Sequence, residues 1–324
     1  MRKPKLYSAS NIKTFFNNRE EYYLKYLSDN KVRDPQTVAM ACGSAFDARV
    51  KAYLHKRYIS DGDPAFELET LFEAQVEEHN RDVLWKAGKD LFELYRDSGA
   101  LSKLCEVLDK ASYIMMENKL IGEVFGVPFV GYPDLFFKIN NQPVILDWKC
   151  NGWFDIRGNR KDKPHTPNKY YHTLYSIDKK TGSYGTKRYK DTDVAFDPVI
   201  HCTNHHFDET DDDWCFQMMI YHWLIGVKYD ERPLIWIEQL CGGKQGRVAS
   251  ICGRASDLMI EESERRIRHV YDVVNNTPDG GFPHIFENLT KDENDRMCES
   301  LDRVANDELH AFFMKTCSRP TFKF

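Results

Sequence analysis

Within "GYPDLFFKINNQPVILDWKCNG" (131–152), three residues have types and spacing that suit hydrolytic chemistry: Asp134, Asp147 and Lys149. In an extended run successive side chains alternate faces. Asp147 and Lys149 therefore share one side, about 6 to 7 Å apart along the strand, while Trp148 points to the other. A turn at Asn140-Asn141 would fold the chain back and return Asp147 close to Asp134. Two carboxylates held that close repel and shift each other's pKa unless a cation is shared, and a divalent metal with oxygen ligands relieves the repulsion. Such a set fits hydrolysis of a phosphodiester. The metal neutralises phosphoryl charge and supplies hydroxide near neutral pH, and the lysine positions the attacking water or offsets charge in the transition state. A surface ion pair at strand ends fits the same spacing. D-x-K also occurs at Asp29-Asn30-Lys31 and Asp178-Lys179-Lys180, but only Asp147-Trp148-Lys149 follows an apolar β run with a second Asp before it.

The elements that must position these residues follow from the pattern. "SASNIKTFFNNREEYYLKYL" begins with Ser8 and Ser10, suited to capping, and has apolar spacings for one or two short helices. Helices are also predicted over 43–57, 64–97 and 101–112. From Tyr113 the runs "SYIMMENKLIGEV", "VPFVGYPDLFFKI" and "PVILDWKC" change to a strand pattern, with turn signals at Gly126 and Asn140-Asn141, and predict a three-stranded meander. Residues 151–213 have no sustained period and read as an insertion with loops. A helix over 212–227 follows. Two strands, "LIWIEQL" and "GRVASIC", are joined by the Gly-rich turn "CGGKQG" and lead to helices over 256–275 and 290–315.

With 324 residues and 42% hydrophobic content the chain can bury a large core. It is expected to form one elaborated domain, made of a helical part with the first motif (1–112), a catalytic meander (113–150), the insertion (151–213), a central helix with strands and a following helix (214–275), and a C-terminal helical extension (276–324). No stretch approaches the roughly 18 apolar residues of a membrane span, and "MRKPKLYSAS" lacks the apolar core of a signal peptide. A cytoplasmic protein without a membrane partner is expected. Nine scattered cysteines without a C-x-x-C pair argue against a disulfide framework. The net charge of −5 argues against generic polyanion binding. However, residues 157–190 hold ten Lys/Arg against two acids, a balance of +8 that leaves −13 for the rest. Tyr170, Tyr171, Tyr175, Tyr184 and Tyr189 interleave these cations, as in a surface that grips phosphates and stacks on bases, although a solvated loop has the same composition.

Several segments together resemble the PD-(D/E)xK nuclease superfamily. "GYPDLFFK" followed by "ILDWK" looks like its second and third motifs. "FQMMIYHW", with Gln217 and Tyr221 four apart, resembles the Q-x-x-x-Y motif of the RecB-like, RecE-like exonuclease branch. "YSASNIKTFFNNREEYYLKYL" resembles the N-terminal helix motif of that branch, and "GSAFDARVKAYL" its first motif, a Gly followed four residues later by a metal-binding side chain. The matching segments span about residues 7–275. The resemblance implies an α/β fold with a restriction-endonuclease-like core, a mixed central sheet flanked by helices, with a helical N-terminal elaboration. It implies that Asp134, Asp147 and Lys149 are catalytic and that Asp47, Asp134, Asp147 and the Trp148 backbone carbonyl hold Mg²⁺ or Mn²⁺. Gln217, Tyr221 and Glu117 would line the site, with Lys179, Lys180, Lys187 and Arg188 as DNA contacts from the basic segment. The family carries His or Glu where this chain has the shorter Asp47, which leaves direct and water-mediated coordination both open.

The implied function is a metal-dependent DNA exonuclease, cytoplasmic in a bacterial or phage-infected cell, working in recombination, repair or phage DNA metabolism. Its implied partners are a DNA end or single strand, a single-strand annealing protein, and copies of itself. A site-specific endonuclease, a catalytically silent DNA-binding protein of the same fold, and an interaction protein with an ion-pair network are the alternatives. His201, Cys202, His205, His206 and Cys215 lack the second ligand knuckle of a structural zinc site. Cys241, Cys252, Cys298 and Cys317 are too widely spaced for an iron-sulfur cluster. "GGKQGR" fits a hairpin turn rather than a phosphate-binding loop.

Overall fold

A computed structural model of the chain describes residues 3–28, 35–155, 158–163, 165–168, 171–177, 184–188, 206–243 and 246–276. The helix expected over 290–315, and Lys179 and Lys180, lie outside the described residues. Among these residues no helix is long and apolar enough to cross a membrane. The chain divides into two compact units, one formed by 1–33, 123–129 and 262–324, the other by 34–122 and 130–261.

In the first unit, helix α1 (Ala9–Asn17) begins where the Ser8 side chain accepts a hydrogen bond from the Asn11 N–H at 3.2 Å, as a capping serine should. Ser10 lies inside the helix instead. α1 buries Ile12 and Phe15, and is followed by the short helix α2 (Arg19–Tyr22) and a π-turn over Tyr23–Leu27. The Tyr7 N–H donates to the Pro128 carbonyl at 2.9 Å, and the Tyr7 ring meets Phe129 and Tyr271.

The second unit contains a seven-stranded mixed sheet, with strands in the order 113–116, 135–139, 142–151, 234–241, 247–253, 173–177 and 184–188, flanked by helices, as expected for the fold. Helix α3 (Val38–Tyr58) is capped by Thr37 and packs against α5 (Glu78–Asp97). Gly88 permits that approach, since a Cβ there would lie 2.6 Å from the Ala45 carbonyl oxygen. The helix expected over 64–97 is broken into a 3₁₀ turn (Pro64–Phe66), α4 (Leu68–Gln75) and α5. The break comes from a reciprocal pair in which the Glu77 N–H donates to Gln36 Oε1 and the Gln36 N–H to Glu77 Oε2, at 3.0 and 2.9 Å. α6 (Ala100–Leu108) completes this helical layer.

The expected three-stranded meander is in fact five strands: β1 (Tyr113–Met116), β2 (Leu120–Val124), β3 (Val127–Gly131), β4 (Leu135–Ile139) and β5 (Gln142–Asn151). Glu117, at φ 52°, adopts a left-handed conformation that ends β1, and its N–H donates to the Pro133 carbonyl at 3.2 Å. Pro133 interrupts the second run. β1 therefore pairs with β4 in the large sheet, and β2 with β3 in a separate ladder.

β4 and β5 form the expected hairpin across Asn140 and Asn141, both at positive φ. β5 then runs parallel to β8 (Leu234–Cys241), a connection that needs a crossover and contains α7 (Asp212–Leu224). Every residue of β8 is buried, as befits a strand covered on both faces. β9 (Arg247–Gly253) pairs antiparallel with β8. The segment expected to be loops contributes β6 (Thr173–Ile177) and β7 (Tyr184–Arg188), which extend the sheet beyond β9. β6 buries Thr173, Leu174 and Tyr175, too short an alternation to stand out in a polar segment. α8 (Asp257–Asn275) ends the described chain.

Candidate active site

The strand alternation places the acidic and basic groups as the sequence suggests. Trp148 is buried among the residues packed by α3, with its ring in edge contact with Phe46. Asp147 and Lys149 face the other way, toward α7. The Lys149 ammonium lies 2.5 Å from Asp147 Oδ2 and donates to Gln217 Oε1 at 3.1 Å. Gln217 Nε2 in turn donates to the Tyr221 hydroxyl at 2.8 Å. The two donors and acceptors fix the orientation of the Gln217 amide, and the four-residue spacing on α7 puts Gln217 and Tyr221 on one face.

α7 is held in place by its own cap and by its buried side. The Asp211 side chain accepts from the Trp214 N–H at 2.9 Å, and Asp212 and Asp213 complement the helix dipole. His222 is fully buried, kept neutral by burial with its pKa lowered to about 3, and its Nε2 lies 3.2 Å from the Leu234 carbonyl. Tyr221 lies against Gly131 of the "GYPD" stretch. A Cβ at Gly131 would be 2.7 and 2.8 Å from Tyr221 ring carbons, so the absence of a side chain lets the ring sit over the end of β3. That role of Gly131 depends on a partner ninety residues away, and no local sequence signal marks it.

Asp134 immediately precedes β4, and the pairing of Leu135 with Leu146 sets it across from Asp147. Its Oδ2 accepts from the Trp148 N–H at 3.2 Å, so the Trp148 peptide lies beside the carboxylate. Asp134 and Asp147 face each other across the β4–β5 pair, so the charge on one opposes ionisation of the other. Burial, then the Asp134 charge, raises the Asp147 pKa to about 7. Burial also works against ionisation of Asp134, but Lys51 and Lys149 outweigh it and hold that carboxyl below the usual range.

A second group of charges adjoins this pair. Asp47 and Lys51 lie one turn apart on α3, and the Lys51 ammonium contacts Asp47 at 2.5 Å, Asp134 Oδ1 at 2.9 Å, and Glu117. Carboxylate oxygens of Asp47, Glu117 and Asp134 all lie within 4.8 Å of one another, a spacing that could hold a metal ion. Lys51 sits among them with its side chain 2% exposed. Burial lowers the Lys51 pKa, but Asp134 and Asp47 more than reverse that, and the ammonium persists. Burial lifts the Asp47 carboxyl to about 7 despite Lys51. In the sequence Lys51 appears only as one of two cations near Asp47. The available signal was its position four residues on, between Val50 and the "AYL" run of the same helix.

The structure thus brings together Asp47, Glu117, Asp134, Asp147, Trp148, Lys149, Gln217 and Tyr221. Lys187 and Arg188 fall on β7, the last strand of the sheet, paired with Leu174 and Thr173. Of the histidine and cysteine cluster, His201, Cys202 and His205 lie outside the described residues. His206 is exposed, and Cys215 is buried on α7. Cys241 and Cys252 are buried on β8 and β9, whereas Cys298 and Cys317 lie outside the described residues.

No protein-family model matches the chain, and no curated protein matches it. Among solved structures, the chain is similar to a candidate exonuclease from Eubacterium rectale, with 14% identity, coverage of 84% of this chain and 82% of that one, and a TM-score of 0.45.

Proposed function

We propose that the protein is a metal-dependent nuclease that hydrolyses phosphodiester bonds in DNA, most simply as an exonuclease in recombination, repair or phage DNA metabolism. The observation that carries this reading is the convergence of Asp134, Asp147 and Lys149 on one point, with Lys149 tied through Gln217 to Tyr221. The donor set fits Mg²⁺ or Mn²⁺. It is made of hard carboxylate oxygens, and two buried carboxyls that oppose each other's ionisation are relieved by a shared cation. Asp134, Asp147 and the Trp148 carbonyl would hold the ion. When bound, it neutralises phosphoryl oxygens and lowers the pKa of a coordinated water.

Hydrolysis adds water across a P–O bond, the hydroxyl to phosphorus and the proton to the leaving oxygen. Burial disfavours the Lys149 charge, but Asp147 and Asp134 raise its pKa, so Lys149 acts as an ammonium that orients and stabilises charge rather than as a base. Gln217 Oε1 gives that ammonium a second acceptor beside Asp147. Tyr221 is kept protonated by burial and by Asp147, and can donate to a phosphate oxygen.

The test is incubation with Mg²⁺ or Mn²⁺ and linear, nicked, circular and single-stranded DNA, alongside Asp134→Ala and Lys149→Ala. Degradation of linear DNA that falls at least 100-fold in both variants is expected, in line with the loss of one charged transition-state contact, about 10²–10³-fold. Cleavage of closed circles would make the enzyme an endonuclease. Equal rates in wild type and variants would remove these residues from the mechanism.

A further inference from the structure

We infer that Arg247, with Lys161 and His165 beside it, forms a subsite for a backbone phosphate of the bound strand, separate from the linkage that is cleaved. This rests on the nuclease reading above and names a second contact with its substrate. Arg247 opens β9. Its register partner is Cys241 of β8, and Cys241 pairs in turn with Asn151 of β5. Residues paired in register project to the same side of a sheet, and Asn151 shares its side with Asp147 and Lys149. Arg247 therefore stands on the catalytic side, two strand spacings or about 10 Å across the sheet from β5. β7, which carries Lys187 and Arg188, lies two strands beyond β9.

Part of the basic segment is fastened across the same end of the strands. The His165 N–H donates to the Gly242 carbonyl at 2.9 Å, and the Asn168 N–H to Gln239 Oε1 at 3.0 Å. Asn168 Nδ2 also donates to Asp211 Oδ2 at 3.1 Å, which ties the segment to the cap of α7. Gln239 is the register partner of Lys149, so residues 165–168 are anchored in the row of the catalytic lysine. Arg247 Nη2 donates to the His165 carbonyl at 2.6 Å. That bond leaves the guanidinium charge unanswered. Among the described residues Arg247 is paired with no carboxylate, and its Nε is buried with no hydrogen-bond partner. Burial, then Lys161, then Arg247 lowers the His165 pKa, so the charges that bear on the ring are two cations. A guanidinium with an unused donor, next to an ammonium, is completed by a phosphate, which brings negative charge and several acceptor oxygens. A role confined to holding the His165 carbonyl would need a neutral donor and no charge to desolvate.

Binding of single- and double-stranded oligonucleotides with 5′-hydroxyl ends, in Ca²⁺ and read by fluorescence anisotropy, tests this with strands that each carry one uncharged methylphosphonate linkage at successive positions. In the wild type two positions should lower affinity, one at the cleaved linkage and one beyond it, each by about tenfold. Arg247→Gln keeps a donor for the His165 carbonyl and removes the charge. It should weaken the unmodified strand by about tenfold, erase the second position and keep the first. It should also lower the slope of log affinity against log salt by about 0.7 for a single strand or 0.9 for a duplex. Lys161 is exposed, so Lys161→Gln leaves the core untouched; it should lower the slope by a similar amount, and it decides the matter if Arg247→Gln does not fold. An unchanged methylphosphonate pattern and salt slope, with the first position still sensitive, would overturn the subsite and leave the nuclease reading standing. Affinity that appears only when a terminal phosphate is added would do the same, because the cations would then serve a strand end. Failure of the wild type to bind any strand would overturn both.

Discussion

Asp147→Asn should make the metal-free protein more stable at alkaline pH while abolishing its response to metal. The Asp147 carboxyl has a pKa of about 7 in the fold against an ordinary value of 3.8, burial being the first cause and Asp134 the second. A folded-state pKa above the unfolded one means that the native state binds more protons between these values. Its stabilising contribution is thus fully present below about pH 4 and is lost as pH rises through about 7. For these two pKa values, the linkage relation gives a loss of about 2 to 3 kcal/mol between pH 5 and pH 8. Asparagine is uncharged throughout and close in shape to the protonated acid. The stability difference, variant minus wild type, should therefore grow by that amount over this interval. Asp47, whose pKa is also lifted to about 7, is present in both proteins and largely cancels in the difference. At roughly 2 °C per kcal/mol for a chain of this size, the difference in Tm should increase by about 5 °C from pH 5 to pH 8 in chelator. Adding Mn²⁺ should raise the wild-type Tm by mass action and leave the variant unmoved. A Tm difference that does not change with pH in chelator would show that Asp147 is already ionised in the fold at pH 5, and the raised pKa would be wrong.

Two further outcomes follow, one from the site's geometry and one from the charge of the basic segment. Gly131→Ala places a methyl group 2.7 Å from the Tyr221 ring and 3.0 Å from Leu224, so it should destabilise by about 1–3 kcal/mol, read by urea or thermal unfolding. It should also reduce DNA cleavage through displacement of Tyr221 and Gln217, and the stability loss should shrink by about half or more in a Tyr221→Ala background. Replacing Lys179, Lys180, Lys187 and Arg188 by Gln should weaken DNA binding and flatten the slope of log affinity against log salt by about 3 to 4 for a duplex, as measured by fluorescence anisotropy. An unchanged slope would mean that these four side chains do not touch phosphate.

Much of the site was legible because its chemistry is written at short range. A strand alternates faces by geometry, so Asp147-Trp148-Lys149 declares two residues for one side and an aromatic for the core. The Asn140-Asn141 turn and the register it sets put Asp134 across from Asp147. The four-residue spacing of Gln217 and Tyr221 needed only a helix. What could not be read depends on contacts between distant segments. The break in the β1 run lies at Glu117, a residue type that gives no hint of a positive φ, and it reverses which strands are neighbours. The break before α5 comes from Gln36, some forty residues earlier. β6 and β7 lie in a segment whose polar and basic composition suggested loops, because ladder pairing to β9 and not an apolar period makes them strands.

Lys51 shows most clearly why composition misjudges such a site. On a helix surface an Asp-x-x-x-Lys pair adds a few tenths of a kcal/mol and no function. Here α3 carries the same pair inward, to where Glu117 and Asp134 add two more carboxylates, and the ammonium becomes nearly inaccessible to water. Removing one partner from a buried ionic group leaves uncompensated charge, which costs about 3–5 kcal/mol, whereas keeping all of them is close to neutral for stability. The pocket is therefore not explained by stability alone. Its consequence is electrostatic: Lys51, with Lys149, holds the Asp134 carboxyl below the usual range, whereas burial and the Asp134 charge lift that of Asp147, one strand away. Two carboxylates of the same type are thus pushed in opposite directions by their neighbours, two ammonium groups for Asp134 and the Asp134 charge for Asp147, while burial acts against ionisation in both.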